Sequence, residues 1–266
     1  MDTKRPLAGV PEDPNHVEQP ETPKAFAPSR PPLKPHERVI FALDVPDPTD
    51  AEKFSHLLAG QVGGFKIGLE LFVAAGPSVF DLIGPNVNVM LDLKLHDIPE
   101  TVERAVARAG ELSPFGVKFL TLHVQQRETM RRAVKAAEKS GIQLLGVTVL
   151  TSMTETDLKD FCYEGDALGA VLSRAKLAAE EGITGFVTSP REVAILRRTY
   201  PHAVLVTPGI RPTGSTEESD QKRIGTPGQA VEDGADYIVV GRPIRDADNP
   251  VAMAGLIAAE IELKTP

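Results

Sequence analysis

The sequence predicts a single-domain α/β protein built as a (β/α)8 TIM barrel, and three observations predict it. From Glu37 onward, short β-branched runs alternate with longer amphipathic stretches. The alternation repeats eight times in about 230 residues, the count and length of that barrel. Polar residues recur at the carboxyl ends of the runs, where such barrels keep their chemistry. A doubly wound open sheet is the alternative fold, but no Gly-x-Gly-x-x-Gly turn follows the first run. No second domain is visible.

The strands are expected at 38–45, 64–69, 87–95, 117–124, 143–150, 185–189, 203–208 and 237–241. Helical patterns lie between them at 49–59, 70–83, 99–111, 127–140, 167–182, 190–199, 227–233 and 250–263. They rest on spacings such as Ala105, Ala109, Leu112 and Leu168, Leu172, Ala175, Ala179. Residues 1–35 stand apart. They hold 9 of the 23 prolines and few large apolar side chains, too little buried surface to offset the entropy of ordering. They are expected to be a disordered or extended tail, dispensable for chemistry, ahead of a catalytic barrel at 36–266. The tail has neither the basic start nor the apolar segment of a signal peptide.

Composition narrows the function. The net charge is −8 and the lysines and arginines form no dense patch, which argues against a nucleic acid as partner. No apolar run approaches the 18 or so residues of a membrane span. The single cysteine, Cys162, rules out an intramolecular disulfide framework and fits a reducing cytoplasm. It follows a polar turn and reads as inert. No His, Cys and Asp cluster has metal-ligand spacing, and no cofactor is expected.

One stretch organises the rest: Leu91-Asp92-Leu93-Lys94-Leu95-His96-Asp97-Ile98-Pro99-Glu100-Thr101. On a strand, i and i+2 share a face, so Asp92 and Lys94 point the same way. Burying charge costs several kcal/mol without a partner. With Asp97 beyond it, one cation stands between two anions, and Asp44 and Lys66 end neighbouring strands. A structural ion pair is the plainer reading of Asp92 and Lys94. Buried ion pairs stabilise poorly, however, so an alternating array of Lys66, Asp92, Lys94 and Asp97 fits a pre-organised site better. Asp97-Ile98-Pro99-Glu100 also has the form of a capping box, and Asp97 can serve as N-cap, as a site residue, or as both. His96 shares the parity of Asp92 and Lys94, and His123 ends the fourth strand. Both read as structural, since neither has a serine or cysteine nucleophile at a suitable spacing.

The final third offers an anion site. Thr207-Pro208-Gly209-Ile210-Arg211 and Val240-Gly241-Arg242-Pro243 each close a strand with glycine and arginine. Loops after the seventh and eighth strands of such barrels often bind phosphate. Arginine adds a fork of donors matched to phosphate oxygens. Two exposed arginines on turns is the plainer alternative. The polar loop between them, 212–225, which contains Gly214, Ser215, Ser219, Asp220 and Gln221, has the length of a lid. Thr151 and Ser189 complete a set of polar strand ends.

Taken in order, these elements resemble the orotidine 5′-monophosphate decarboxylase family over roughly residues 37–260. The resemblance rests on Ala42-Leu43-Asp44, Lys66-Ile67-Gly68, the Asp92 to Pro99 stretch, and Val147 to Ser152. It continues through Thr207 to Arg211, Asp220-Gln221-Lys222-Arg223 and Val240 to Pro243. Asp-x-Lys-x-x-Asp alone would be shared with sugar-phosphate lyases, whereas the ordered set is specific. The proline-rich tail departs from the family pattern. The resemblance implies that Lys94 protonates C6 of the pyrimidine as carbon dioxide leaves, with Asp92 against the substrate carboxylate. It implies that Lys66 ties the array to the ribose and that Asp44 contacts the ribose. Thr151 would meet the pyrimidine, Gln221 would bridge base and phosphate, and Arg211, Gly241 and Arg242 would hold the phosphate. It further implies a homodimer in which Asp97 and Thr101 reach the neighbouring site. A sugar-phosphate lyase or aldolase on the same barrel, or a non-catalytic nucleotide-phosphate binder, is the rival reading.

Overall fold

The computed structural model describes residues 32–85, 87–214 and 223–264. Eight parallel strands close into a barrel in sequence order, with the last paired to the first. They are β1 (Val39–Ala42), β2 (Gly64–Gly68), β3 (Val89–Leu95), β4 (Val117–His123), β5 (Gln143–Val147), β6 (Gly185–Val187), β7 (Val204–Thr207) and β8 (Tyr237–Val240). Each lies within the predicted run and is one to four residues shorter.

Two apolar cores follow from the strand's two-residue period. Outward residues such as Phe41, Phe65, Leu91, Leu120 and Phe186 are buried under the helical layer. Inward residues make a smaller plug inside the barrel: Ile40, Ala42, Met90, Leu145, Val204 and Val239, with Phe119 and Tyr237 against it. The plug crosses the barrel between its two ends, leaving the next inward positions toward the carboxyl end of the strands to face a cavity.

The helical layer comprises α1 (Pro48–Leu58), α2 (Leu69–Ala75), α3 (Val79–Ile83), α4 (Pro99–Gly110), α5 (Arg127–Ala137), α6 (Glu155–Asp160), α7 (Ala167–Glu180), α8 (Val193–Thr199), α9 (Pro227–Glu232), α10 (Arg242–Arg245) and α11 (Pro250–Glu262). Side-chain caps mark several starts. Asp166 accepts the Gly169 N–H at 2.7 Å before α7, and Asn249 that of Ala252 at 3.0 Å before α11. The buried stripe Val102, Val106, Ala109 on α4 shows why its spacing reads as helix.

Four local expectations are corrected. The helix expected over 70–83 is broken in two by a 3-10 turn, Gly76–Ser78. Gly76 takes φ +58°, and Pro77 has no N–H to continue the ladder. The helix expected from 190 starts at Val193, because Glu192 turns its side chain inward to a buried pair. Two short helices, α6 and α10, were not expected, although Thr154 and Asp157 form a capping box before α6. Pro35, assigned to the tail, opens a 3-10 turn, Pro35–Arg38, closed by the Lys34 N–H on the Glu37 carboxylate at 2.7 Å. The rest of the expected tail, residues 1–31, lies outside the described residues.

Candidate active site

A cavity of about 400 Å³ opens at the carboxyl ends of the strands. Strand parity explains who lines it. Ile40 and Ala42 point inward, so Asp44 does too; Gly64 is followed by Lys66, and Met90 by Asp92. The ladder sets Ala42 beside Lys66 and Gly68 beside Asp92, which brings charges from three strands together.

They form one alternating chain. The Lys66 Nζ donates to Asp44 Oδ1 at 2.7 Å and lies 3.7 Å from Asp92 Oδ2. The Lys94 Nζ donates to the same Asp92 oxygen at 2.8 Å. Asp92 and Lys66 are largely buried, Lys94 is about a third exposed, and Asp44 half exposed. Burial pushes the Asp92 carboxyl up. Lys66 and Lys94, with hydrogen bonds from Lys94 and Thr121, outweigh that and hold it below its ordinary value. A Cβ at Gly68 would stand 3.0 Å from both Asp44 Oδ1 and the Lys66 nitrogen, close enough to displace that pair.

Lys94 is reached by a bulge. Leu91 pairs with Leu120 and Leu95 with Leu122, so three residues of β3 face one of β4, Thr121. Within the bulge Lys94 has φ +48°, a left-handed conformation that costs a side chain roughly 1–3 kcal/mol. Its N–H donates to Thr121 Oγ1 at 2.9 Å, and the same hydroxyl donates to Asp92 Oδ1 at 2.9 Å. The shared face of Asp92 and Lys94 is therefore observed, but it does not follow from simple strand alternation.

The same cavity is lined by Thr151, Arg211, Gly241 and Arg242, from the segments after β5, β7 and β8. Gly209 at φ +84° makes the turn after β7. The backbone then closes on itself, Gly225 N–H to Gly209 O at 3.0 Å and Arg211 N–H to Gly225 O at 2.9 Å. Arg211 is buried, and one of its guanidinium nitrogens donates to Ile210 O at 2.8 Å.

Eight of the expected site residues thus line one cavity: Asp44, Lys66, Asp92, Lys94, Thr151, Arg211, Gly241 and Arg242. Asp97 and Thr101 do not line it. The array consequently ends at Lys94 within one chain, and Asp97 is no second anion beside that amine. Nor does Asp97 cap a helix in the expected way. Ile98 is the N-cap of α4, with Pro99 at the first helical position, and the exposed Asp97 carboxylate takes the N–H of Ile98 at 2.7 Å. Gln221, with Ser215, Ser219 and Asp220 of the expected lid, lies outside the described residues. His96 and His123 meet at a tilt of 52° with centroids 5.4 Å apart and do not line the cavity. Burial first, then the positive surroundings of His96 and Lys94, lowers the His123 pKa. Ser189 is also turned away, donating to Glu192 in a buried contact.

Two contributors escaped the sequence reading. Arg245 lines the cavity and donates to the Asp44 carbonyl at 2.9 Å, a contact 201 residues apart in the chain. Arg223 pairs with buried Glu192 at 2.7 Å and donates to the carbonyls of Val149 and Leu150, just before Thr151. Arg223 belonged to a quoted motif, but nothing local marked it as buried. Among the described residues no group of three or more His, Cys, Asp or Glu is placed to hold a metal, and no helix is long and apolar enough to cross a membrane.

Comparison with known proteins agrees with this geometry. The model of the orotidine 5′-phosphate decarboxylase / HUMPS family matches residues 37–257. The chain is 44% identical to the orotidine 5′-phosphate decarboxylase of Desulfosudis oleivorans, over 86% of this chain and 94% of that one. It is 47% identical to the same-named protein of Afipia carboxidovorans, over 86% and 97%. A crystal structure of orotidine 5′-phosphate decarboxylase from Lactobacillus acidophilus superposes with a TM-score of 0.72 at 33% identity, covering 84% of this chain and 98% of that one. On its ordered motifs, its barrel and these matches, the chain belongs to the orotidine 5′-phosphate decarboxylase / HUMPS family.

Proposed function

We propose that this protein decarboxylates orotidine 5′-monophosphate to UMP and carbon dioxide in pyrimidine biosynthesis. The observation that carries the reading is the Asp44–Lys66–Asp92–Lys94 chain, set in a cavity that Arg211 and Arg242 also line. A cavity of about 400 Å³ lined by both the amine and the arginines suits a nucleotide, with the base over Lys94 and the phosphate at the arginines. The sugar-phosphate lyase alternative has less support, since the named relatives above are decarboxylases.

The chemistry asks for electrostatics. Loss of carbon dioxide leaves an electron pair on C6 with little delocalisation, so stabilisation must come from fixed charge. The Lys94 ammonium is already oriented by Asp92 and needs no reorganisation to meet that pair, after which it supplies the proton. An ionised Asp92 beside the substrate carboxylate would also repel it until it departs, a contribution whose size is debated. Lys66 holds Asp92 from the other side and, with Asp44, contacts the ribose. Thr151 meets the pyrimidine. Arg211, Gly241 and Arg242 grip the phosphate, with Gln221 bridging it to the base. Binding energy from the remote phosphate then supports the ordering of the reacting end. No cofactor enters this scheme.

Asp97 and Thr101 belong, in this reading, to the neighbouring site of a homodimer. Asp97 is exposed beside exposed Ile98, and Thr101 is half-buried on α4, so both are open to a partner, which supports it. The protein acts in the cytoplasm, and the catalytic unit is the barrel at 36–266. Loss of orotidylate absorbance on incubation with the purified protein, without added metal, tests the activity; a folded dimer with no turnover rejects it. Deleting residues 1–31 should leave kcat within about twofold if the tail takes no part in chemistry.

A further inference from the structure

We propose that Thr121 is a positioning residue for this reaction: its one hydroxyl locks the Asp92 carboxylate and the Lys94 backbone into a fixed relation. The inference rests on the decarboxylase reading and adds a residue that touches no substrate. Thr121 is fully buried in the middle of β4 and does not line the cavity. It stands opposite the three-residue bulge Asp92-Leu93-Lys94, where the β3–β4 ladder has lost its regular register. There the hydroxyl does what the missing ladder cannot, accepting the Lys94 N–H and donating to Asp92 Oδ1, both at 2.9 Å. A hydroxyl has one hydrogen to give and lone pairs to receive, so both bonds are made at once and each fixes the other.

The geometry explains why this matters for rate rather than for binding. Asp92 uses its two oxygens separately, Oδ1 for Thr121 and Oδ2 for Lys94. Freeing Oδ1 lets the carboxylate rotate and carries the ammonium with it. Freeing the Lys94 N–H removes the bond that sustains φ +48°, a conformation kept only where surroundings impose it. Either change moves the amine relative to C6, and a displacement near 1 Å costs roughly 100-fold in rate. Neither hydrogen bond of Thr121 goes to Arg211, Gly241 or Arg242, so the phosphate grip is left in place.

The test compares full-length wild type with Thr121→Val and Thr121→Ser. Valine keeps the shape and removes the hydroxyl, whereas serine keeps the hydroxyl. Measured are kcat and KM for orotidylate, Kd for UMP, and the thermal midpoint. Thr121→Val should lower kcat by roughly 10- to 100-fold, the effect of a hydrogen bond to a charged group, with UMP affinity within threefold. Thr121→Ser should restore kcat to within fivefold of wild type. The proposal is overturned if valine leaves kcat within threefold, if serine is as impaired as valine, or if UMP affinity falls in step with kcat. Should Thr121→Val not melt cooperatively, Thr121→Cys, a near-isostere with a weak donor, takes its place under the same thresholds. A wild type that turns over orotidylate while valine matches it sinks only this role. A wild type without turnover sinks the decarboxylase reading and this role with it.

Discussion

The barrel has a cavity at each end, and the two differ in chemistry more than in size. The one at the carboxyl ends holds about 400 Å³, the one at the amino ends about 330 Å³. The first is walled by two acids, two lysines and three arginines. The second is walled by Ile40, Gly64, Asn88, Phe119, Gln143 and Tyr237 among others, with the exposed Lys118 as its one charge. Its amides are committed to the main chain: Asn88 donates to Gly63 O at 3.0 Å, and Gln143 to Thr184 O at 3.4 Å. At the carboxyl end, side chains satisfy one another, leaving charge aimed into the space. Volume alone therefore says little; how polar groups spend their hydrogen bonds tells a site from a gap.

If that contrast is right, breaking the array should have the largest effect. Lys94→Ala should cut kcat by roughly 10⁴-fold or more, because it removes both the proposed proton donor and the fixed charge. Steady-state kinetics with circular dichroism as a folding control checks this. Activity retained by a folded variant would remove Lys94 from its role.

Next comes Asp92→Asn. Charge at the centre of the chain disappears, leaving Lys66 and Lys94 facing each other across a neutral amide. A loss in kcat of roughly 10²–10³-fold is expected. A pH series of unfolding midpoints sharpens the comparison. The folded-state pKa of Asp92 lies below its ordinary value of 3.8, so its ionisation contributes stability above that value. This contribution is lost as pH falls through the lower folded value. The stability gap between wild type and Asp92→Asn should thus be constant from about pH 8 to 5 and shrink below about pH 4. A gap that closes already near pH 6 would mean that Asp92 is not the stabilised carboxylate described here.

Arg242→Ala should act on binding instead. If Arg242 holds the phosphate as proposed, losing that charge-assisted contact raises KM by roughly 10- to 100-fold, with a smaller change in kcat. Equal loss in both would place Arg242 among the groups that respond to the transition state.

How much of this was legible beforehand follows the range of each interaction. Alternation along single strands put Asp44 in register with Ile40 and Ala42, and Asp92 with Met90, so most of the cavity wall could be read from local period. The bulge could not. Leu91-Asp92-Leu93-Lys94-Leu95 looks like unbroken alternation, and only pairing with β4 reveals that Lys94 sits at positive φ. Asp97 misled for a related reason: Pro99 at the first helical position shifts the cap by one residue. Arg245 and Arg223 act on carbonyls 201 and 74 or 73 residues away, distances at which sequence spacing carries no signal.

The smallest effect is expected at the opposite end of the barrel. Asn88→Ala removes the amide that holds Gly63 O, a hydrogen bond worth about 1 kcal/mol. In a domain of this size that lowers the melting midpoint by about 2–4 °C. Gly63 directly precedes β2, which begins at Gly64 and carries Lys66 two residues further on. The ladder to β1 and β3, however, holds Lys66 through Ala42 and Met90 independently of Asn88. Loosening at the amino end should stop there, with kcat and KM within about twofold of wild type, since small changes away from such features are usually slight. A fall in kcat matching that of the array variants would mean that the amino end transmits strain along β2, and the division of labour between the two ends would fail.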